Sequence, residues 1–330
     1  MPGPNPLDVM PTMAGDLDRV ERELLLAAQS EDPYLTEIAA HLISAGGKRV
    51  RPGFAIAAAA TASDRAETNR AIVLAGVSVE LVHLGSLYHD DVMDDATTRR
   101  NVASVNARWG NLQAILAGDF LLARASEIAA SLGVEVAGLL AATISRLCEG
   151  QVLELRTTFD VTRDEASYLR SIEGKTASLL SSACRIGGIV AGIGDDHLDA
   201  LTVFGRSYGM AFQIVDDVLD LVSTDEELGK PAGHDMVEGV YTLPVIGALG
   251  GPNGAQLAGL LTDSMSDDDR WAALAIARDG VWIDESIDRA RAFASEAHDA
   301  IASLPDSPGR HGLVAAAAYL VDSVEAAAAA

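Results

Sequence analysis

From residue 16 onward apolar side chains recur at intervals of three and four, and nowhere do they settle into the alternation of a strand. That periodicity restricts the chain to packed amphipathic helices. "LDRVERELLLAA" and "YLTEIAAHLIS" are two of them, the second stopped by Gly46 and Gly47 where a helix ends in a left-handed turn. Asp64 and Glu67 have capping-box spacing and open a helix expected to run to about Asp94; Thr162 and Glu165 repeat the spacing. Further helices are predicted over 111–133, 134–158, 172–192, 196–222, 241–249 and 254–263, with more to follow. Hydrophobic residues make up 49% of the chain and aromatics 5%, with Ala and Leu dominating, which favours helix over strand. No Pro- or Ser-rich linker divides the chain. The reading is all-α: one domain over 16–324, a flexible N-terminus over 1–15 and a frayed alanine tail over 325–330. Segments 96–110 and 223–240 are long connections, of the kind that often carry function.

The formal charge of −24 excludes a nucleic-acid surface, which needs clustered Lys and Arg, and an electrostatic anchor on anionic lipid. The two cysteines, Cys148 and Cys184, sit in apolar helical patterns without CxxC spacing, so buried free thiols are expected. The start "MPGPNPLDVMPTMAG" lacks the basic region and apolar run of a signal peptide. No uninterrupted apolar stretch has the length of a membrane span. A soluble, cytoplasmic protein without stable membrane insertion is the expectation.

Against this background stands "LYHDDVMDDATTRR", residues 87–100, with Asp90, Asp91, Asp94 and Asp95 in six positions. A second cluster, Asp216, Asp217 and Asp220, occurs in "FQIVDDVLDLV". Both have the form DDxxD. On a helix, Asp90 with Asp94 and Asp216 with Asp220 lie one turn apart on a common face. One such cluster reads as a solvated acidic face. Two identical ones, each flanked by apolar residues, call for a partner, because carboxylates on buried helices are paired or bind metal. Hard oxygen donors of this kind suit Mg²⁺, whose shell is completed by water and phosphate. Asp95 falls outside the pattern and reads as a helix-end carboxylate.

The cations fit the same chemistry. "GGKRVRP", 46–52, places Lys48 and Arg51 three apart beside a glycine-rich turn. Arg99 and Arg100 follow the first cluster, and Lys175 and Lys230 accompany the later helices and loops. Singly each is an ordinary surface charge; as a set in a cation-poor chain they suit diphosphates.

With GGKRVRP, HDDVMD followed by RR, KT at 175–176, FQIVDDVLD, GKPAGHD and TLP in this order, the chain resembles the trans-polyprenyl diphosphate synthases over about residues 40 to 250. The resemblance implies a single-domain isoprenoid-synthase helical bundle around a deep central cavity, usually a homodimer. It implies about three Mg²⁺ per active site, two held by Asp90, Asp91 and Asp94 and a third by Asp216, Asp217 and Asp220. Arg99, Lys175 and Lys230, with Gln213 nearby, match the residues that hold an allylic diphosphate. Lys48, Arg51, His83 and Arg100 match those for isopentenyl diphosphate, and Thr176 one that steadies the allylic cation. His83 precedes Asp90 by two turns, on the same face. The chain departs from the pattern at Val240, where a lysine is common, and at Asn101, where a glycine is.

In that family the cavity floor sets product length, and the first gate lies four and five residues before the first aspartate. Here those are Ser86 and Gly85, followed up the helix by Val82, Val79, Ser78 and Ala75, none bulky. The expectation is a medium or long all-trans product for a quinone side chain, with Leu116, Phe120 or Leu147 as a floor higher up. A short-chain synthase (geranyl, farnesyl or geranylgeranyl) is the alternative. A terpene cyclase is disfavoured by Asp220, Thr224 and the few aromatics, and a head-to-head condensing enzyme by its different motif spacing. A non-catalytic subunit of a heteromeric synthase is disfavoured by two intact clusters.

Overall fold

The computed structural model describes residues 7–62, 68–224 and 231–328. Helices come first in the order α1 (Met13–Ala27), α2 (Pro33–Ser44), α3 (Val50–Ala59) and α4 (Arg70–Met93). A minimal hairpin follows, β1 (Thr98–Arg99) antiparallel to β2 (Val102–Ala103), pairing Thr98 with Ala103 and Arg99 with Val102. Then come α5 (Val105–Trp109), α6 (Asn111–Leu132), α7 (Val134–Arg156) and α8 (Glu165–Ile172). A π-helical turn, Glu173–Ala177, leads into α9 (Ser178–Val190) and α10 (Asp195–Val222). The remainder is α11 (His234–Val237), α12 (Leu243–Leu249), α13 (Gly254–Leu260), α14 (Asp267–Arg278), α15 (Trp282–Ala300) and α16 (Pro308–Ala328). The fold is an all-α bundle.

Helices α4 and α10, which carry the aspartate clusters, form its centre. Helix α4 packs on α3, α6 and α9, and α10 packs on α9, α15 and α16, so α9 braces both. Most of α4 between Val73 and Gly85 is buried, and α9 is buried along nearly its whole length. Each Val or Leu so buried contributes about 1.5–3 kcal/mol relative to exposure. Tyr88 is fully buried on α4, and its hydroxyl donates to the carbonyls of Ile38 and Ala39 at 2.9 and 3.1 Å, tying α4 to α2.

Several local expectations change. The Asp64–Glu67 capping box lies outside the described residues; α4 starts at Arg70, with Asn69 accepting from the Ile72 amide at 3.0 Å. The Thr162 hydroxyl is spent on Asp160, and Asp164 caps α8 by accepting from the Ser167 amide at 2.7 Å. The N-terminal segment expected to be flexible is packed from Leu7 onward, because Leu7, Met10 and Met13 recur every third residue and are buried. Helix α16 takes in most of the alanine tail expected to fray. Cys184 is buried, but Cys148 is exposed on the outer face of α7. Helices α4 and α7 are each long and apolar enough to cross a membrane by length and composition alone; 67% of the α4 window is buried as core, against 22% for α7.

Candidate active site

Asp90 lies on the last turn of α4, and the Asp94 N–H closes that turn by donating to the Asp90 carbonyl at 2.9 Å. Burial raises the Asp90 carboxyl above its ordinary range, with Lys175 and Arg99 pulling the other way. Burial also raises Asp94, to about 6, with Asp90 and Glu238 adding to the effect and Lys175 opposing it. A pair of carboxylates that are hard to ionise side by side is a donor set that fits a divalent cation. Asp95, just past the helix end, has a left-handed φ of 47° and an exposed side chain.

Asp91 points elsewhere. Its side chain is 0% exposed, and Oδ1 accepts from Arg99 Nε at 2.8 Å and Nη2 at 2.7 Å. The hairpin that places Arg99 is short because Arg100 and Asn101 both take left-handed backbone conformations. The positive φ at Asn101 explains why glycine is common there and why asparagine is accepted.

The second cluster repeats the arrangement. Asp216 is exposed, whereas Asp217 is buried and accepts from Tyr168 Oη at 2.5 Å and Gln213 Nε2 at 2.8 Å. Burial, with Asp235 and Asp216 adding, holds the Asp217 carboxyl well above the usual range. Gln213 Oε1 in turn accepts from Thr176 Oγ1 at 2.7 Å, joining α10 to the π-helical turn. Asp220 is buried and its Oδ2 accepts from the Asp235 amide at 3.4 Å, organising the start of α11. Among the described residues, no three His, Cys, Asp or Glu side chains already converge as a metal site.

Lys175 stands beside the first cluster, and its neighbour Thr176 reaches the second through Gln213. Its Nζ contacts Glu154 of α7 at 2.6 Å. Burial works against its charge, but Glu154 and Asp90 outweigh that and raise its pKa. The approach of the two backbones depends on Gly150, where an added Cβ would stand 2.6 Å from the Lys175 amide nitrogen. The sequence predicts one regular helix over 172–192; the inserted π turn is what presents Lys175 and Thr176, and such turns recur at functional sites.

A second group of cations gathers at the turn between α2 and α3. Arg51, in the first turn of α3, is half-buried, its Nε without a hydrogen-bond partner among the described residues; Lys48 is exposed on the connection just before that helix. Arg100 reaches across to the Leu42 carbonyl at 3.1 Å and the Gly46 carbonyl. Burial, then Arg51 and Arg100, drive His83 well below its ordinary pKa, so it is a neutral imidazole. Lys230 lies outside the described residues.

The proposed length gate is less uniform than its sequence. Ser86 is half-buried, its hydroxyl turned back to the His83 carbonyl at 2.9 Å. Gly85 serves the crossing of α4 with α6: an added Cβ would lie 3.0 Å from the Gly118 carbonyl and 3.1 Å from Leu122. Val82, Val79, Ser78 and Ala75 are fully buried, so the accessible face of α4 is formed by His83, Ser86, Leu87 and Asp90. Leu116 is 64% exposed on the outside of α6 and forms no floor; Phe120 and Leu147 are half-buried.

Glu154, Tyr168 and Asp235 belong to the site, although spacing alone did not single them out. Asp235 stood within the quoted GKPAGHD segment; Glu154 and Tyr168 gave no sequence signal.

Two acidic clusters on central helices, both served by the turn that carries Lys175 and Thr176, with guanidinium groups behind the first, form the candidate site of an all-α enzyme. The polyprenyl synthetase family model matches residues 32–275. The chain is 40% identical over 306 residues to nonaprenyl diphosphate synthase of Mycobacterium tuberculosis, covering 92% of this chain and 91% of that protein. It superposes on a decaprenyl diphosphate synthase from Rhodobacter capsulatus with TM-score 0.89 and 34% identity, covering 96% of this chain and 98% of that one. A polyprenyl synthase from Caulobacter crescentus, complexed with calcium and isoprenyl diphosphate, gives TM-score 0.88 at 33% identity, covering 96% and 97%. The chain belongs to the polyprenyl synthetase family and is a prenyltransferase.

Proposed function

We propose that the chain condenses an allylic diphosphate with isopentenyl diphosphate, head to tail, to a medium or long all-trans product suited to a quinone side chain. The observation that carries this is the pair of aspartate clusters served by one π-helical turn, the first beside Lys175 and the second tied through Gln213 to Thr176, with small Ser86 one turn inward from Asp90. Asp90, Asp94 and Asp216, with Asp220 and Asp235 beside them, would hold about three Mg²⁺. When bound, the metal neutralises charge on the departing diphosphate. Asp91 and Asp217 keep the clusters in place through Arg99 and Tyr168.

Arg99 and Lys175 bind the allylic diphosphate, and Lys175 leaves Glu154 to do so. As the C–O bond breaks, these cations meet the charge that develops on the leaving oxygen. The Thr176 hydroxyl donates a hydrogen bond to Gln213 Oε1, which leaves a hydroxyl lone pair for the allylic cation. Lys48, Arg51, His83 and Arg100 hold isopentenyl diphosphate with its double bond toward that cation. The proton released after the new C–C bond forms goes to the departing diphosphate.

The enzyme is proposed to act as a homodimer. Leu112, Ile115 and Leu116 are 72, 40 and 64% exposed on one face of α6, an apolar face suited to a second copy. Purified protein supplied with Mg²⁺, an allylic primer and labelled isopentenyl diphosphate tests the activity. Products longer than geranylgeranyl diphosphate support it; no turnover by the single chain would favour the subunit reading.

A further inference from the structure

Within the turn 46–52, Arg49 faces inward while its neighbours Lys48 and Arg51 serve the site. It precedes α3 with a left-handed φ of 47°, a conformation that costs a non-glycine residue about 1 kcal/mol or more. Its side chain is 2% exposed. Nε donates to Glu21 Oε1 at 2.5 Å, Nη2 to Glu21 Oε2 at 3.2 Å and to the Ile43 carbonyl at 2.9 Å, and Nη1 to Glu80 Oε1 at 3.0 Å. These bonds join the turn to α1, to the end of α2 and to α4. With most of its donors committed and almost no exposure, Arg49 has nothing left for a substrate.

Glu80 lies on α4 one turn before His83 and is equally buried. Its Oε2 has no hydrogen-bond partner among the described residues, and neither does Arg51 Nε. A buried ion pair is weak evidence of stability, since a well-packed apolar pair does as well. What it supplies is a fixed geometry, here at the turn that also receives Arg100 on the Gly46 carbonyl.

We propose that Arg49 and Glu80 are positioning residues, a buried ion pair that fixes the turn 46–52 so that Lys48 and Arg51 meet the diphosphate of the non-allylic substrate. The proposal rests on the reading of Lys48, Arg51, His83 and Arg100 as the isopentenyl diphosphate subsite. Neither residue touches substrate; both act through the turn.

Steady-state kinetics on the full-length enzyme, with each substrate varied in turn, test it on Arg49→Met and Glu80→Gln. The expected result is a rise in KM for isopentenyl diphosphate of about tenfold, with KM for the allylic diphosphate changed by less than about twofold and kcat lowered far less than tenfold. Circular dichroism sets the folded fraction by which kcat is normalised. If Arg49→Met does not fold, Glu80→Gln decides, because its amide oxygen still accepts from Nη1 while the charge is gone. Arg51→Gln separates the two layers of the argument. If it leaves KM for isopentenyl diphosphate unchanged, the subsite reading fails and the proposal with it. If Arg51→Gln raises that KM while the Arg49 and Glu80 variants lose only folded fraction, or raise both KM values alike, the positioning role is overturned.

Discussion

Arg99 places two of its N–H groups, Nε at 2.8 Å and Nη2 at 2.7 Å, on the same oxygen of Asp91. One oxygen of the middle carboxylate is therefore held by the protein, while Oδ2 has no hydrogen-bond partner among the described residues, and the proposed metal site falls to Asp90 and Asp94. Tyr168 and Gln213 likewise hold Asp217. The three aspartates of each motif are chemically alike in sequence and unlike in place.

This inequality separates the variants. Asp90→Asn and Asp94→Asn are expected to lower kcat by about 10²–10³, as loss of one transition-state charge partner does. Asp91→Asn frees Arg99, so its effect should fall mainly on KM for the allylic diphosphate, by about tenfold. Equal kcat losses for all three would contradict the assignment.

The sequence made α4 and α10 legible through apolar periodicity, and the i, i+4 spacing placed Asp90 with Asp94 and Asp216 with Asp220. It did not reveal which aspartate turns inward, because Tyr168 lies 49 positions from Asp217 and only the packing of α8 on α10 joins them. The π turn at Lys175 was hidden for a similar reason: it reflects close contact with α7 at Gly150. Two-residue strands are too short to alternate, so the hairpin that aims Arg99 and Arg100 left no periodic trace. Cys148 looked buried because α7 is apolar on its outer face as well.

His83 carries a pH dependence. Its folded pKa lies well below that of the unfolded chain, so between the two values the unfolded state binds the extra proton. Stability is then full above about pH 6.5 and falls as the pH drops toward the folded value, by at most about 1.4 kcal/mol per pH unit. His83→Gln should lose less stability than wild type between about pH 6.5 and 5 in denaturant titrations. Parallel losses would assign the acid sensitivity to other groups.

Tyr88 tests the packing behind the site. Tyr88→Phe leaves the Ile38 and Ala39 carbonyls without their side-chain donor and is expected to cost about 1–2 kcal/mol in urea unfolding, with the product pattern unchanged. A shortened product would mean that Tyr88 helps to define the tunnel.

At the gate, Ser86→Phe should shorten the product, since Ser86 lies on the accessible face of α4. Gly85→Ala should instead lower stability by about 1–3 kcal/mol, because its Cβ meets the Gly118 carbonyl. A shortened product from Gly85→Ala at unchanged stability would reverse these roles.

The most direct test of the account is product chromatography of wild-type enzyme beside Ser86→Phe, under saturating isopentenyl diphosphate and Mg²⁺. Wild-type products longer than geranylgeranyl diphosphate, cut short by the phenylalanine, are the predicted result. A wild-type enzyme that stops at geranyl, farnesyl or geranylgeranyl diphosphate would contradict it.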